Sequence, residues 1–159
     1  MSVDFKLEGM DDFMRNLDVL KDRKSVNKRA RAAARKAMQL VQFAAKVGAS
    51  RIDDPVTREN ITENIVIRNG KSRDLNTVRM RVGVLGGAAV NAKTDREKLA
   101  ALPGGETVYW RYIEFGTSKV PATPFMRPAL AENIQVVTDE FNRHFMKSIE
   151  NAIKKGKIT

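Results

Sequence analysis

A long, alanine-rich helix is the feature that most restricts how this chain can fold. Between Ser25 and Gly48 the apolar residues recur at steps of three, four and one, which keeps them on one face of a helix. They are Val26, Ala30, Ala33, Ala37, Leu40, Val41 and Ala44. Ser25 can cap the N-terminus, and Gly48 is expected to end the helix. Because most of these side chains are small, another backbone element can approach the helix closely.

Alternating apolar residues predict a small antiparallel sheet. One side of the cleanest strand carries Val78, Met80, Val82 and Val84, and the other side carries Thr77, Arg79 and Arg81. The stretch from Ile61 to Arg68 predicts a second strand, with Ile65 and Ile67 on one face. Residues 69–73 between them are typical of a loop. The two strands are therefore expected to form a hairpin with one solvated face.

Both ends of the chain show further regular patterns. Residues 3–8 predict a short strand, and residues 10 to about 20 predict an amphipathic helix. A long C-terminal helix is predicted from apolar residues three or four apart, with Gly156 at its C-terminal cap. They are Leu130, Ile134, Val137, Phe141, Phe145, Ile149 and Ile153.

The middle of the chain is less regular. Residues 86–106 predict a long mobile insertion within a single domain, with one helical turn near residues 95–99. Residues 107–115 are rich in aromatic side chains whose spacing fits either a strand or a short helix, and the pattern leaves both open. Residues 116–128 hold three prolines and are expected to be irregular. These elements predict one α+β domain, with a small antiparallel sheet packed by a long N-terminal and a long C-terminal helix.

Composition excludes several classes of protein. With 159 residues the chain has the size of one domain, and with no cysteine it can form neither a disulfide nor a thiolate metal site. It contains no apolar run of about 18 residues, so no membrane span is expected. The N-terminus lacks the pattern of a secretory signal, and we expect synthesis and assembly in a cytoplasm.

An enzymatic reading has little support in the sequence. There is one histidine, His144, and no metal-ligand cluster, phosphate-binding glycine pattern or nucleophile motif. Four carboxylates, Asp53, Asp54, Glu59 and Glu63, lie close together and fit either a cation site or, preferably, a solvated turn. We therefore expect no catalytic residue, no cofactor and no metal.

The chain has a net charge of +10, and its basic residues are concentrated in a cluster between residues 21 and 36. It contains Lys21, Arg23, Lys24, Lys28, Arg29, Arg31, Arg35 and Lys36, opposed only by Asp22. Such a cluster can contact phosphates or an acidic partner, although a solvated helix face fits equally well. It holds no aromatic residue that could stack on bases, which favours plain electrostatic contact. The residues predicted to contact an acidic partner or DNA are Lys28, Arg29, Arg31 and Arg35.

The segment from Glu114 to Pro128, here called the strap, joins the aromatic stretch to the last helix. Its prolines restrict the backbone and reduce the entropy lost when the segment is ordered. Phe125 and Met126 must be buried, either in their own domain or against a neighbour. The residues predicted to build a structural and interface strap are Glu114, Phe115, Gly116, Thr117, Pro124, Phe125, Met126 and Pro128.

This segment resembles a known family. The stretch Tyr112-Ile113-Glu114-Phe115-Gly116-Thr117, followed by Pro-Ala-Thr-Pro-Phe-Met-Arg-Pro-Ala-Leu at residues 121–130, is similar to the signature of the tail-component family of tailed bacteriophages. The opening strand, the amphipathic helix and the basic alanine-rich helix are also similar. The resemblance spans residues 3 to 155, and residues 86–106 match least.

The resemblance implies a neck or tail-completion subunit of a long-tailed phage. Such a subunit would form a ring, expected to be a hexamer, between head-completion and tail-terminator proteins, with genome DNA passing through. It would have no catalytic residues, and it would lie in the neck or tail of the virion. A different interpretation is a basic nucleic-acid-binding protein that uses the helix at residues 21–36.

Overall fold

The computed structural model describes residues 21–53, 59–87 and 90–154. The predicted N-terminal strand and helix, and the predicted cap at Gly156, lie outside these residues. The described helices are α1 (Arg23–Ser50), α2 (Ile61–Asn64), α3 (Arg96–Ala100), α4 (Trp110–Phe115), α5 (Met126–Ala131) and α6 (Ile134–Lys154). The described strands are β1 (Ile65–Asn69) and β2 (Met80–Val84). The predicted α+β class, with long helices near both ends and a small antiparallel sheet, is confirmed.

Helix α1 is longer than predicted at both ends. Asp22 caps it instead of Ser25, because the Asp22 carboxylate accepts a hydrogen bond from the backbone N–H of Lys24 at 3.1 Å. Gly48 lies inside the helix, which continues to Ser50. A Cβ atom on Gly48 would lie 3.0 Å from the Cβ of Phe125. The glycine therefore makes room for the phenylalanine and does not end the helix.

The buried face of α1 is the centre of the packing. It consists of Ala33, Ala37, Val41, Ala45 and Ala49, at steps of four residues. The first three belong to the predicted stripe, whereas Ala45 and Ala49 do not and the predicted Leu40 is exposed. Helices α2, α5 and α6 and both strands all contact α1. The small side chains allow this close approach, as the alanine content predicts.

The predicted hairpin is confirmed, with a different start for β1 and with β2 beginning at Met80 instead of near Val78. Strands β1 and β2 are antiparallel, and Ile65 pairs with Val84. The first four residues of the predicted strand form α2 instead. The Asp53 carboxylate accepts hydrogen bonds from the backbone N–H groups of Ile61 at 2.9 Å and Thr62 at 3.1 Å, which stabilises the start of a helix.

The predicted C-terminal helix is two helices. Helix α5 ends at Ala131, and α6 starts at Ile134 after a turn in which the N–H of Asn133 donates to the carbonyl of Leu130 at 3.1 Å. The break lets α5 pack its start against the strap while α6 lies along α1. Pro128 lies in the first turn of α5, where its missing N–H costs least. Ile134, predicted as part of the buried stripe, is 58% exposed.

The hydrophobic core lies where α1, α2, β1, α5 and the strap meet. Its buried members are Val41, Ala45, Ala49, Ile61, Ile65, Phe125 and Ala129. They come from segments far apart in sequence, so the core depends on tertiary contacts. Among the helices described, none combines the length and apolar character that crossing a lipid bilayer requires.

Residues 86–106 are held to the rest of the domain at their C-terminal end. The predicted helical turn is present as α3, capped by Asp95. The amide of Asn64, which is buried, donates to the carbonyl of Gly105 at 2.9 Å and to the hydroxyl of Thr107 at 2.7 Å. Its amide oxygen accepts the N–H of Gly104 at 2.9 Å. The Gly87 carbonyl also accepts the indole N–H of Trp110 at 2.7 Å, and Leu99 is buried. The mobility of the insertion stays a prediction.

Candidate functional site

The strap is organised by one buried carboxylate. Glu114, in α4, is 1% exposed, and its Oε2 accepts hydrogen bonds from the backbone N–H groups of Phe125 at 2.7 Å and Met126 at 2.9 Å. Its Oε1 accepts the backbone N–H of Arg127 at 2.9 Å and the Nε–H of the same residue at 3.1 Å. The first N–H groups of a helix have no partner within it, and α5 has no side-chain cap of its own. Glu114 supplies that cap from another helix.

The environment of Glu114 keeps it ionised. Burial raises the pKa of the carboxyl, but the hydrogen bonds from Met126, Phe125 and Arg127 outweigh burial and hold the pKa below its usual range. Arg127 also donates from Nη2 to the Glu114 carbonyl at 2.7 Å. A carboxylate that is engaged by four donors and closed off from solvent is suited to fixing structure, not to chemistry on a substrate.

The backbone between Gly116 and Pro124 folds back onto α4. Gly116 has a φ of +75°, and a Cβ there would lie 2.8 Å from the backbone nitrogen of Ala122. The N–H of Thr123 donates to the carbonyl of Ile113 at 2.8 Å, and the Thr117 hydroxyl accepts the N–H of Val120 at 3.0 Å. The irregular strap is therefore an ordered loop with internal bonds, consistent with its proline content.

The strap residues divide into a buried group and an exposed group. Phe125 is 3% exposed and belongs to the core of its own subunit, so its burial needs no neighbour. Phe115 is 62% exposed, with the Arg127 guanidinium 4.9 Å from its ring centre. Thr117 and Pro124 are also exposed. The interface role of the strap stays a prediction, and only its exposed members can contact a partner in this conformation.

An exposed apolar surface adjoins the strap. It is formed by Met126, Leu130 and Ile134, and is called the α5 surface below. Met126, Leu130 and Ile134 border a shallow depression of about 340 Å³. Leu130 and Ile134, like Phe115, are exposed. Contiguous exposed apolar side chains of this kind mark contact sites. The sequence pattern did not predict this surface, because Leu130 and Ile134 both fit the buried stripe of a single long C-terminal helix.

A second exposed apolar surface lies on α1. It consists of Leu40, Phe43 and Val47, called the α1 surface, and Phe43 is 70% exposed. Steps of three and four place these side chains on one side of the helix, away from the buried face formed by Val41, Ala45 and Ala49. The sequence carries a signal for this surface in the spacing of the three residues, but the apolar stripe predicted for the helix places Leu40 on the buried face.

The four basic residues predicted to contact an acidic partner or DNA do not all have the same surroundings in the structure. Lys28, Arg31 and Arg35 are exposed on one side of α1. Arg31 borders a groove of about 910 Å³ between the start of α1 and the hairpin loop, whereas Lys28 and Arg29 border a different cavity of about 690 Å³. Arg29 donates from Nη1 to the carbonyl of Ser148 at 3.2 Å, which ties α1 to α6. Arg29 is therefore partly structural.

His144 and Asp53 have local partners, and Asp54 lies outside the described residues. The His144 ring nitrogen Nε2 lies 2.8 Å from a carboxylate oxygen of Glu140, one turn earlier on α6. Arg143 contacts the same carboxylate at 2.6 Å. Asp53 caps α2, and the described residues contain no group of carboxylates, histidines or cysteines arranged to hold a metal.

The comparison with protein families decides the identity. The family model described as "Bacteriophage HK97-gp10, putative tail-component" matches residues 11–116, which is two thirds of the chain. The chain belongs to this family. The family is a structural one, so the protein is a structural component of a phage tail, located in the virion and in contact with other virion proteins. Comparison with curated proteins and with solved structures gave no match.

The family match covers only the first residues of the strap. The resemblance seen in the sequence is confirmed, but the match ends at Gly116. The family model therefore includes α1, the hairpin, the insertion and Glu114, whereas the groups that bind Glu114, at residues 125–127, lie beyond it.

Proposed function

We propose that the protein is a neck or tail-completion subunit that forms a ring, a hexamer, between head-completion and tail-terminator proteins, with the genome DNA passing through. The observation that carries this proposal is the presence of two separate exposed apolar surfaces on one folded subunit. Family membership supports the assembly role, and the resemblance of the strap to phage neck proteins supports the position. In this proposal the subunit has no catalytic role and is assembled in the host cytoplasm.

A ring requires two different surfaces on each subunit. When one patch of a subunit binds a different patch of the next, the contact is heterologous and closes into a ring if the rotation allows. The α5 surface and the α1 surface supply two such patches. The α5 surface is also rigid beside its anchor, since Glu114 fixes the start of α5, and a rigid surface loses little entropy on binding.

A mixing experiment with two variants tests the ring. Ile134→Glu places a charge on the α5 surface, and Phe43→Glu places one on the α1 surface. Each purified variant should be monomeric by light scattering, whereas the wild type should form closed rings in electron microscopy. Mixed in equal amounts, the two variants should form heterodimers and nothing larger, because only one intact contact exists in each pair. Asn142→Glu, on an exposed part of α6, is the control and should still form rings.

Other outcomes would contradict the proposal. If Ile134→Glu alone forms a dimer, the α1 surface pairs with itself and the contact is not heterologous. If both variants form rings as the wild type does, neither surface carries the subunit contact.

A second candidate function is non-specific nucleic-acid binding through the cationic side of α1. The exposed positions of Lys28, Arg31 and Arg35 on one side of the helix favour it. Neutralising about five phosphates would give a log–log salt dependence of affinity with a slope of roughly −4.5. A slope near zero in a titration with duplex DNA would exclude this candidate.

A further inference from the structure

The outer face of the hairpin carries a set of arginines whose guanidinium groups make no hydrogen bond or ion pair with the described residues. In the register of the sheet, Arg68 lies directly opposite Arg81. The N–H of Gly70 donates to the carbonyl of Arg79 at 2.8 Å, so the pairing continues to Arg79. Residues two apart on a strand share a face, which places the three arginines together on the side away from the core. We call this set, Arg68, Arg79 and Arg81, the arginine face; all three are exposed.

This arrangement costs stability in the isolated subunit. Side chains directly opposite on antiparallel strands have Cβ atoms about 4.5–5.5 Å apart, and like charges there repel. In the described part of the chain the ion pairs lie elsewhere, on the carboxylates of Asp95, Glu114 and Glu140. A glutamate at either position of the opposed pair would stabilise the hairpin. Two arginines placed opposite each other, without a carboxylate partner, leave both charges available to an anion from outside the subunit.

The arginine side chains also converge. A Cβ on Gly70 would lie 2.8 Å from Cγ of Arg79 and 3.1 Å from Nε of Arg81. The two side chains therefore share the space above the bare backbone of Gly70. Gly83 lies on the same face, and a Cβ there would meet no atom within 4 Å. The face is thus cationic and open, which suits a large, rigid anion.

The charge of the chain argues against a second copy as the anion. Each copy adds a net charge of +10, so no ring of these subunits can neutralise itself. The surface also differs from a protein interface, whose centre is usually apolar and poor in charge. Arg79 borders the groove that Lys24 and Arg31 also line, so the cations continue beyond the hairpin. The carboxylate of Asp74 in this groove accepts hydrogen bonds from the backbone N–H of Asn76 and the hydroxyl of Thr77, in its own turn.

We propose that the arginine face is a binding site for the phosphate backbone of duplex DNA. Guanidinium groups bind phosphate oxygens with paired hydrogen bonds, and contacts of this kind carry no sequence information. Three phosphates neutralised here contribute about −2.7 to the slope of log affinity against log salt concentration. Lys28 and Arg35 of α1 do not border the groove that Arg79 lines, and the site does not depend on the ring.

Matched double variants test this site. The probe is a mixed-sequence 30-base-pair DNA duplex, titrated with the full chain between 50 and 200 mM salt by fluorescence anisotropy. Arg68→Gln with Arg81→Gln should reduce the salt slope by about 1.8 and lower the affinity at low salt by about tenfold for each arginine. Lys28→Gln with Arg35→Gln removes the same charge from α1 and should change both quantities much less. The hairpin variant should fold, because it removes repulsion.

A second pair of variants checks the site without removing any arginine. Gly83→Glu and Gly83→Gln differ by one charge at a position with open space. Gly83→Glu should weaken DNA binding at least about tenfold relative to Gly83→Gln. The titration is repeated with the Ile134→Glu protein, so that loss of ring formation and loss of the DNA site are measured separately.

Three results would overturn the proposal. The first is that the wild type does not bind the duplex at 50 mM salt. The second is that the α1 variant loses as much affinity as the hairpin variant. The third is that poly-glutamate, at equal total charge, displaces the duplex from the wild type but not from the hairpin variant. The hairpin arginines would then bind an acidic protein segment and not DNA.

Discussion

Replacing Glu114 with glutamine is expected to loosen the strap. The carboxylate accepts four hydrogen bonds, two at each oxygen. Whichever way the glutamine amide turns, its NH₂ group faces two donors, and each donor left unpaired in a buried site costs about 1–3 kcal/mol. Two such donors cost about 2–6 kcal/mol together, and the Arg127 guanidinium, which is 57% exposed, can turn to water and so lowers the upper end of that range. We therefore expect the free energy of unfolding to fall by about 2–5 kcal/mol.

Urea unfolding followed by circular dichroism measures this loss. For a domain of this size the melting temperature should fall by about 4–20 °C. Glu132→Gln, which changes an exposed glutamate just after α5, is the matched control and should change stability by less than about 0.5 kcal/mol. If Glu114→Gln costs no more than this control, the carboxylate does not hold the strap and the reasoning is wrong.

The same pair of proteins gives a pH test. The folded-state pKa of Glu114 is lowered, so its stabilisation is fully present above the ordinary glutamate pKa of about 4.3. It is lost as the pH falls below that value and through the folded pKa. The difference in unfolding free energy between wild type and Glu114→Gln should therefore be constant from pH 6 to 8 and decrease below about pH 4.3. A difference that grows on acidification would contradict the assignment.

Two further predictions concern the core and the insertion. Phe125→Ala should destabilise the monomer by about 3–5 kcal/mol, because the ring is buried in its own subunit, whereas Phe115→Ala should cost less than about 1 kcal/mol. If the Phe125→Ala monomer is as stable as the wild type, Phe125 is not a core residue and belongs to the subunit interface instead. In hydrogen exchange, residues 86–103 should exchange faster than β2, and Gly104→Ala, whose Cβ would overlap a backbone carbonyl oxygen, should extend fast exchange to the end of the insertion. Equal protection in the insertion and in β2 would refute its mobility.

The sequence by itself determined the elements whose patterns are local. Alternation from Val78 to Val84 was enough to predict a hairpin strand with a solvated arginine side. The alanine-rich stripe was enough to predict α1 and its close packing, because helix formation and small side chains are properties of neighbouring residues. The charge of +10 and the basic cluster are likewise visible in the sequence.

Only the tertiary structure decided how the strap and the insertion are held. Glu114 meets its partners 11–13 residues away, and Asn64 meets Gly104 at a separation of 40 residues. Neither side chain stands out in a periodic pattern, since a lone glutamate or asparagine is usually exposed. Gly48 shows the same limit. A glycine near the end of a helical pattern predicts a terminus, but here the helix continues because Phe125, 77 positions later, occupies the space that a Cβ would fill.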